Sequence, residues 1–595
     1  MREYRHDLDI LKGISIIAVV LYHIGILPYG YLGVDTFLVI NGFLIIPGLI
    51  KAIEEENFSF IGWFLRRMKR FVPIVLIASI VCLAIGFFVM IPDDYENLSQ
   101  SVFASSIFCQ NILSAITTGN YWDSVNEYKP LMHFWYLGIV VQFYFIIPII
   151  LLIINKIYRI GGGKKLRITV LLLGGLSLLL YVCPFSFNSK FYYLPFRIWE
   201  FCLGGLVGLY VVAKDVKVAS RYSVLCLVLL VICFCLFPKY FSEIDTTVII
   251  GAQEVSGTGN IPRELPVIAT VLLSSVLMLR KEGSFWNKCG WLAVLGKMSL
   301  SIFVWHQVLL AFFRYSLVDR ITAGVFLVFV GLLLLLSYAS YRLIEPLKIN
   351  TKAGWVMATL IWAGVLCYSF AIYRRAGVVR DVPELGITMD NPLANKNTEY
   401  IDRIYAYDKP FASANQIKVL VVGNSFARDF ASVLLEWDVE HRLELSYMFS
   451  FDKAKGDRLS ECDYLFVLGS KEHVPSYVWS LLKKGCKSYG ISTKSYGKNF
   501  GRIYACRHQP DYYESSIPIH PLCAQTNDEW RKSWGGNFLD FMEASKLPNG
   551  NIRLFTDDHK IISFDCRHLT MYGCKFYAKT FDFEQIFASS RNQRN

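Results

Sequence analysis

The chain has 595 residues, of which 54% are hydrophobic and only 18% are charged, and its mean hydropathy is +0.39. This composition excludes an ordinary soluble protein. The apolar residues collect in runs of about 17–24 residues up to Arg374, the length that a helix needs to cross a bilayer. The sequence therefore predicts a polytopic membrane protein with a soluble tail.

Eleven membrane spans are predicted in chain order. They lie near residues 10–27, 32–50, 72–91, 132–154, 168–183, 192–213, 222–237, 266–280, 292–313, 321–341 and 354–373. A cleavable signal peptide is not expected, because the first apolar run lacks a small-residue cleavage site and a second span follows it at once.

The distribution of lysine and arginine predicts the orientation. With the N-terminus in the cytoplasm, the inner segments hold about 22 of these residues and the outer segments before the last span hold about six. Such an asymmetry is typical of positive-inside topology. It accounts for most of the formal net charge of +12, so no nucleic-acid partner is expected. An odd number of spans places everything after Arg374 outside the cytoplasm.

Cysteine usage agrees with an extracytoplasmic tail. An even number of cysteines in an oxidising compartment permits disulfides, but the pairing cannot be deduced from the sequence. No cysteine and histidine group has the spacing of a zinc site, so no metal is expected. The six tail cysteines are Cys462, Cys486, Cys506, Cys523, Cys566 and Cys574.

The first predicted span, "LDILKGISIIAVVLYHIGIL", carries Lys12 and His23. They are eleven residues apart, about three helical turns, so they share one face. Ionisable residues inside a span are candidates for function. His23 could act as a general base near neutral pH, with Lys12 at the cytoplasmic mouth. The alternative is a histidine that packs between helices and a lysine that snorkels to the interface.

Two further segments carry charge near membrane ends. In "GYLGVDTFLVINGFLI", Asp35 lies near the start of a span. In "FLRRMKRFVPIV", Arg67 and Arg70 are three residues apart, share a helix face at the cytoplasmic surface and suit the phosphates of a cytosolic donor. Positive-inside topology alone would also produce these arginines.

The later spans hold more polar residues than passive anchors need. The segments "LMHFWYLGIVVQFYFIIP", "LPFRIWEFCLGGLVG" and "GKMSLSIFVWHQVLL" are predicted to be membrane-embedded. They add, as further membrane-site candidates, His133, Gln142, Arg197, Glu200 and His306.

In order and spacing, these segments resemble the acyltransferase 3 family of integral membrane acyltransferases over about residues 5–350. The specific pieces are the histidine that ends the first span, "GxxGVDxF", "RRxxRxxP", "HFWxLxxxxQFYxxxP", "RxxE" and "SxSIFxWH". The resemblance implies an enzyme that moves an acyl group, usually acetyl from acetyl-CoA, to extracytoplasmic carbohydrate. It further implies that His23 is the membrane catalytic histidine and that Arg67 and Arg70 contact the donor.

The chain departs from the family pattern at several positions. Lys12 stands where the family usually has arginine, and Asn41 stands where it has serine. Val140 and Val141 replace two acids. If those acids take part in the chemistry, the membrane half has lost activity. If they serve packing or substrate choice, the chain is a divergent member with its own acceptor, which is the interpretation we favour.

The predicted domains are a transmembrane acyltransferase domain over 1–350, an additional helix over 351–374, an extended extracytoplasmic linker over 375–415 and a compact domain over 416–595. In this last domain, strand-like and helix-like segments alternate from "KVLVVG" onward. Such alternation predicts a mostly parallel sheet with helices on both faces.

The stretch "VLVVGNSFARDF" places Ser425 in a turn from strand to helix, at the edge where open α/β sheets bind ligands. Late in the chain, "ISFDCRHLTMYG" supplies Asp565 and His568, spaced so that the carboxylate can orient the imidazole toward the serine. A capped loop would place Asp565 and His568 in the same way.

Taken with the membrane half, the serine turn and the Asp-x-x-His-Leu-Thr sequence resemble the SGNH hydrolase and acyltransferase fold. Asn424 stands where that family more often has aspartate, and Phe426 where histidine is common. The candidate oxyanion residues are Gly469, Asn499 and Asn527.

Together these resemblances imply an O-acetyltransferase in the cytoplasmic (inner) membrane of a bacterium, acting on a polysaccharide or lipid-linked glycan such as O-antigen, capsule or peptidoglycan. Its expected partners are acetyl-CoA, the bilayer and a carbohydrate acceptor. Two alternatives stay open: an extracytoplasmic carbohydrate esterase, and a transporter or scaffold whose chemistry has lapsed.

Overall fold

The structure is a computed structural model, and it describes residues 4–117, 128–157, 162–213, 220–236, 264–279, 289–316, 322–347, 351–390, 397–494, 507–519, 521–563 and 568–591. Its first part, up to Arg374, is helical, and its last part combines a parallel sheet with helices. The predicted succession of a helical membrane-type region and an α/β tail is therefore confirmed at this level.

Fifteen α-helices make up the helical region among the described residues. They are α1 His6–His23, α2 Gly33–Glu54, α3 Phe60–Val89, α4 Pro92–Ser106, α5 Gln110–Thr117, α6 Trp135–Ile157, α7 Gly162–Val182, α8 Phe187–Tyr192, α9 Ile198–Ala213, α10 Ser220–Leu236, α11 Glu264–Met278, α12 Gly290–Lys297, α13 Ser299–Ser316, α14 Ala323–Ala339 and α15 Lys352–Arg374.

A helix lies in each of the eleven predicted ranges, but fewer of these helices are long and apolar enough to cross a membrane. Within the described residues six qualify, or seven if α12 and α13, which meet at a 70° bend, form one span. Helices α9, α10 and α11 are apolar but shorter. Helix α1 carries Asp7, Asp9 and Lys12 in 18 residues, which lowers its hydropathy. The count of eleven stays a prediction.

Glycines bring α2 and α9 into backbone contact. A Cβ atom on Gly42 would lie 1.9 Å from the Phe201 carbonyl oxygen, and one on Gly204 would lie 2.0 Å from the Val39 carbonyl oxygen. Only glycine permits such an approach, as in other small-residue interfaces between membrane helices. This contact holds the start of α9 beside α2.

The regular structure of the tail begins with a short helix before β1 and continues to the last described helix. Its strands are β1 Ile417–Val422, β2 Leu443–Met448, β3 Tyr464–Leu468, β4 Lys487–Ile491, β5 Ser516–Ile517, β6 Phe538–Leu539 and β7 Ile552–Arg553. Its helices are α16 Asn397–Asp402, α17 Ser425–Trp437, α18 Asp457–Glu461, α19 Ser476–Leu481, α20 Pro521–Trp534, α21 Phe541–Ala544, α22 Met571–Thr580 and α23 Phe583–Arg591.

Five of these strands form one parallel sheet in the order β2-β1-β3-β4-β6. Strand β1 lies inside this sheet and is buried on both faces: Val419 and Val421 face one core, and Leu420 and Val422 face the other. Parallel strands covered by helices on both sides are apolar throughout for this reason. The predicted parallel sheet with helices on both faces is confirmed.

The segment after α15, predicted as an extracytoplasmic linker, packs against the helical region. Val378, Val382 and Ile387 are buried in a small core with Ile91, beside the start of α4. Arg380 donates a hydrogen bond to the Met90 carbonyl oxygen at 2.6 Å. The sparse apolar residues of this polar segment thus meet the helical region at the end of α3. The segment is anchored to the helical region.

Candidate active sites

Backbone geometry between β1 and α17 presents Ser425. Gly423 has a φ of +144°, and a Cβ atom there would lie 2.7 Å from the Leu468 Cβ and 2.9 Å from the Ala427 Cβ. Asn424 then caps α17, because its Oδ1 accepts a hydrogen bond of 3.0 Å from the Phe426 N–H. Asparagine is a preferred residue at this position. Ser425 is thus the first residue of a well-capped helix, at the carboxyl end of β1.

His568 meets this serine across 143 residues of sequence. Its Nε2 lies 2.9 Å from the Ser425 Oγ, which is hydrogen-bond distance for a nucleophile and its base. The predicted pairing of Ser425 with His568 is therefore present in the structure. Asp565, the predicted acid of the triad, lies outside the described residues.

A second carboxylate, which sequence reasoning missed, links the two chain segments of this site. Asp429 lies one turn after Ser425 on α17. Its Oδ2 accepts hydrogen bonds from the Leu569 N–H at 2.8 Å and from the Lys494 Nζ at 2.6 Å. Asp429 therefore ties the segment that carries His568 to the helix that carries the serine. The available signal was an acidic residue on the apolar face of an amphipathic helix.

Phe426 packs between the charged pair and the histidine. The Lys494 Nζ lies 4.2 Å from the centre of its ring, a cation–π distance. The same ring meets the His568 imidazole edge-on at 6.1 Å. Replacement of the commoner histidine by Phe426 thus supplies an apolar wall behind the imidazole.

The candidate oxyanion residues have defined positions but different environments. Gly469 follows β3 with a φ of +108°, and its N–H lies 3.4 Å from the Ile491 carbonyl oxygen. Asn527 lies on α20 and donates its Nδ2 to Asp540 Oδ2 at 2.9 Å. Asn499 lies outside the described residues. The assignment of oxyanion donors stays a prediction.

In the helical region, three predicted histidines converge from different elements. His23 ends α1, His133 lies in a 3-10 turn before α6, and His306 lies on α13. The His306 ring centre is 5.0 Å from that of His23 and 5.0 Å from that of His133. Sequence reasoning singled out each residue but not their grouping, with His306 in the middle.

Hydrogen bonds fix the tautomers of two of these rings. The His306 Nδ1 lies 2.7 Å from the Phe303 carbonyl oxygen, so Nδ1 donates. The His133 Nε2 lies 3.1 Å from the Val304 carbonyl oxygen and donates likewise. Within the described part of the chain, His306 Nε2 and His133 Nδ1 are buried without a hydrogen-bond partner. Each is an available proton acceptor inside the bundle.

Asp35, Arg197 and Glu200 form one buried ion cluster. The Arg197 Nη1 donates to Asp35 Oδ1 at 2.5 Å and to Glu200 Oε1 at 2.8 Å. All three side chains are buried. The cluster joins the start of α2 to the start of α9, where the glycine contacts already hold the two helices together. The cluster therefore lies between two packed helices of the bundle.

The predicted donor-binding residues lie on two helices: Lys12 is on α1, and Arg67 and Arg70 are in the first half of α3. The Arg67 guanidinium stacks 3.6 Å from the centre of the Trp63 ring. Arg70 pairs with Glu345 at 3.2 Å, and Lys12 pairs with Asp9 at 3.2 Å. Two of the three cations therefore have a carboxylate partner in the structure.

The positions that depart from the family pattern are packed. Val140 and Val141 are both buried on α6, and Val140 belongs to the apolar core of the helical region. Gln142, the next residue, exchanges two hydrogen bonds with Asn111, at 2.8 and 3.1 Å. Asn41 accepts from the Tyr144 hydroxyl at 2.6 Å. These hydrogen bonds join α6 to α5 and to α2.

The acyltransferase 3 model, described as an acyltransferase domain, matches residues 5–342. The O-acetyltransferase OatA of Staphylococcus aureus strain NCTC 8325 / PS 47 is 25% identical over 356 residues, which cover 58% of this chain and 57% of the relative. SAS0844 of strain MSSA476, provisionally named an O-acetyltransferase, is 26% identical over 373 residues with the same coverage.

These matches span little more than half the length of the curated relatives. No solved structure matches the chain. The family match nevertheless covers more than half of the chain, including the three histidines, the buried ion cluster, Arg67 and Arg70. The chain belongs to the acyltransferase 3 family.

Proposed function

We propose that this protein is an O-acetyltransferase of the bacterial cytoplasmic membrane. It takes acetyl from acetyl-CoA on the cytoplasmic side and delivers it to hydroxyls of an extracytoplasmic polysaccharide or lipid-linked glycan. Family membership and the relatives named O-acetyltransferase support the reaction class. The excess of lysine and arginine on one side of the spans supports the orientation.

In the membrane half, the histidine cluster is the proposed site of proton transfer. His23 is the proposed base, and His306, whose Nε2 is buried without a hydrogen-bond partner among the described residues, is placed to exchange a proton with it. Arg67 and Arg70 would face the donor phosphates, since guanidinium groups pair well with phosphate oxygens. Arg70 would exchange its Glu345 partner for the donor.

In the tail, which we propose to be SGNH-like, Ser425 would carry the acetyl group as an ester. The hydroxyl oxygen attacks the acetyl carbonyl while His568 Nε2 accepts its proton, and the leaving group departs with that proton. A sugar hydroxyl then attacks the acetyl-serine, gives its proton to His568 and restores the Ser425 hydroxyl. The 2.9 Å contact between Ser425 and His568 is the single observation that carries this step.

Two other functions have an observation in their favour. An extracytoplasmic esterase would use the same serine and histidine with water in place of the sugar. A lapsed scaffold or transporter would explain why Val140 and Val141 replace the two family acids. We favour the transferase because the helical region retains the histidines and the arginines that a scaffold does not need.

The test is the acetyl content of the surface glycan in a deletion strain, measured by proton NMR after complementation. The strains carry wild type, His23→Ala or Ser425→Ala, with exposed His473→Ala and Ser480→Ala as matched controls. Immunoblotting confirms equal protein levels. We expect the first two variants to lose the acetyl signal and both controls to keep it.

The other outcomes separate the alternatives. Loss with His23→Ala alone would mean that transfer to the sugar is direct and that Ser425 is dispensable. An unchanged acetyl signal in both variants would contradict the transferase and favour the scaffold. Release of acetate from an acetylated glycan by wild-type membranes, without acetyl-CoA, would favour the esterase.

A further inference from the structure

Two tail cysteines lie beside each other at the start of neighbouring strands. Cys462 comes between α18 and β3, and Cys486 directly precedes β4. The Lys487 N–H donates to the Asp463 carbonyl oxygen at 3.0 Å, which holds the two backbones in adjacent positions of the parallel sheet. The pairing of β3 with β4 therefore fixes the separation of the two cysteines.

The two thiols are already in contact. The Cys462 Sγ lies 3.6 Å from the Cys486 Sγ. The register that pairs Tyr464 with Lys487 places Cys462 one residue out of step with Cys486. A strand spacing of about 4.8 Å and a rise of about 3.3 Å per residue then give a Cα separation of about 6 Å, which is inside the range that disulfides span. Joining the two side chains requires the Sγ atoms to move from 3.6 Å to about 2.05 Å of each other.

We propose that Cys462 and Cys486 form a disulfide in the tail. The proposal rests on the extracytoplasmic position of the tail that the proposed function requires, because disulfides persist in oxidising compartments and are rare in the cytosol. It selects one pair among the tail cysteines, whose pairing the sequence left open.

The chemistry is a thiol–disulfide exchange with an extracytoplasmic thiol oxidase in its disulfide form. Cys486, the more exposed thiol, attacks the disulfide of the oxidase as a thiolate and forms a mixed disulfide. Cys462 then attacks the Cys486 sulfur and releases the second thiol of the oxidase. The pair loses two electrons and two protons, and the oxidase gains them as a dithiol.

The order of attack follows from the environments of the two thiols. The hydrogen bond with Cys486, together with burial, raises the pKa of the Cys462 thiol. Cys462 is also buried and out of reach of a protein oxidant. It is therefore the resolving thiol, which reacts only after the mixed disulfide has formed beside it.

The cross-link would lie at the amino ends of β3 and β4. Ser425 follows the carboxyl end of β1. Because these strands are all parallel, the cross-link and Ser425 lie at opposite ends of the strands. The disulfide would therefore stabilise the tail without entering the reaction. It would close the loop that contains α19, and loops of this size gain stability from a cross-link.

The test uses the full chain in its own membrane. Cells are quenched in acid, free thiols are blocked with iodoacetamide, disulfides are reduced, and the released thiols are labelled with N-ethylmaleimide before peptide mapping. We expect both cysteines to carry the second label. Mapping without reduction should show the peptides of Cys462 and Cys486 joined to each other.

Variants supply an independent measurement. Cys462→Ser, Cys486→Ser and the double variant should all lower the Tm of the tail's unfolding transition, measured on the detergent-solubilised full chain, by roughly 5–10 °C. The three shifts should be equal, because each variant removes the same cross-link. A reducing agent should lower the Tm of the wild type alone. If the double variant is less stable than both single variants, the two side chains act separately and the proposal is overturned.

A fusion of alkaline phosphatase to the C-terminus separates failure of this proposal from failure of the proposed function. If iodoacetamide alkylates both thiols before reduction while the alkaline phosphatase fusion is active, the disulfide proposal alone is overturned. The same alkylation with an inactive fusion would overturn the extracytoplasmic orientation as well. Pairing of either residue with another cysteine would also contradict the proposal.

Discussion

The Lys494 Nζ donates to Asp429 Oδ2 at 2.6 Å, and the two side chains are only 1% and 2% exposed. The aspartate lies one turn after the proposed nucleophile, and the lysine lies just after β4. Because the same Asp429 oxygen also accepts from the Leu569 N–H, the pair holds the neighbour of His568 in place. A buried ion pair thus sets the position of the proposed base.

Lys494→Met is the first variant to make, because it leaves the Asp429 charge buried without its ammonium partner. Removal of one partner of a buried pair costs about 3–5 kcal/mol. The double variant with Asp429→Asn removes the charge as well, so we expect it to recover part of that loss. The measurement is the free energy of unfolding of the tail in a double-mutant cycle.

Activity supplies the second readout for the same pair. If the pair positions His568, Asp429→Asn alone should lower kcat for acetyl transfer and leave KM for the acceptor nearly unchanged. Additive effects of the two substitutions, in stability and in kcat, would mean that Lys494 and Asp429 act independently.

Gly423→Ala tests the turn that presents Ser425. The new Cβ would lie 2.7 Å from the Leu468 Cβ, at a φ that side chains rarely adopt, so the turn must shift. A displacement of about 1 Å at a nucleophile can cost on the order of a hundredfold in rate. Gly536→Ala is the matched control, because nothing lies within 4 Å of its Cβ.

The readout for this pair of variants is the initial rate of acetyl transfer at equal protein levels. We expect a loss of about a hundredfold for Gly423→Ala and no loss for Gly536→Ala. Equal rates for both variants would show that the geometry of the turn does not limit the reaction.

Local sequence patterns predict much of the fold of the tail but few of the contacts in its candidate site. Alternating apolar segments predicted β1 and α17, and the turn between them predicted the place of Ser425. The contacts of Asp429 could not be predicted in this way, because Lys494 is 65 residues away and Leu569 is 140 residues away. Such contacts depend on the order of the strands in the sheet.

The membrane half shows the same limit. Hydropathy predicted where the helices lie, and ionisable residues at membrane depth indicated His23, His133 and His306. That His306 lies between the other two follows from the packing of α13 against α1 and the turn before α6. A periodic pattern in one helix contains no information on which of its faces meets a given neighbour.

Arg197→Lys tests the ion cluster at the starts of α2 and α9. One guanidinium nitrogen of Arg197 donates to both Asp35 and Glu200. The ammonium group of lysine is smaller and differently shaped than the planar guanidinium, so it cannot keep both bonds in the same geometry. We expect a fall in the Tm of the detergent-solubilised protein, measured by fluorescence-detected size exclusion after heating. Arg66→Lys, an exposed position on α3, is the control.

A Tm for Arg197→Lys equal to that of the control would show that the cluster does not hold the two helices. Partial recovery of the Tm of Arg197→Met by Glu200→Gln would support the role of the cluster in holding the two helices. That pair of changes removes a positive and a negative charge together.

His306→Ala tests whether the histidine in the middle of the cluster takes part in proton transfer. Its Nε2 is buried and has no hydrogen-bond partner in the described part of the chain, while its Nδ1 is fixed by the Phe303 carbonyl. Loss of a general base lowers rates by about 10²–10⁴-fold. We therefore expect His306→Ala to lower surface acetylation at least a hundredfold, nearly as far as His23→Ala.

His306→Gln distinguishes proton transfer from packing. Glutamine keeps polar volume in the cluster but cannot accept and release a proton at the Nε2 position. If packing were the role of His306, glutamine would restore acetylation toward the wild-type level. If proton transfer is the role, glutamine should restore the thermal stability of the membrane half and leave acetylation as low as alanine does.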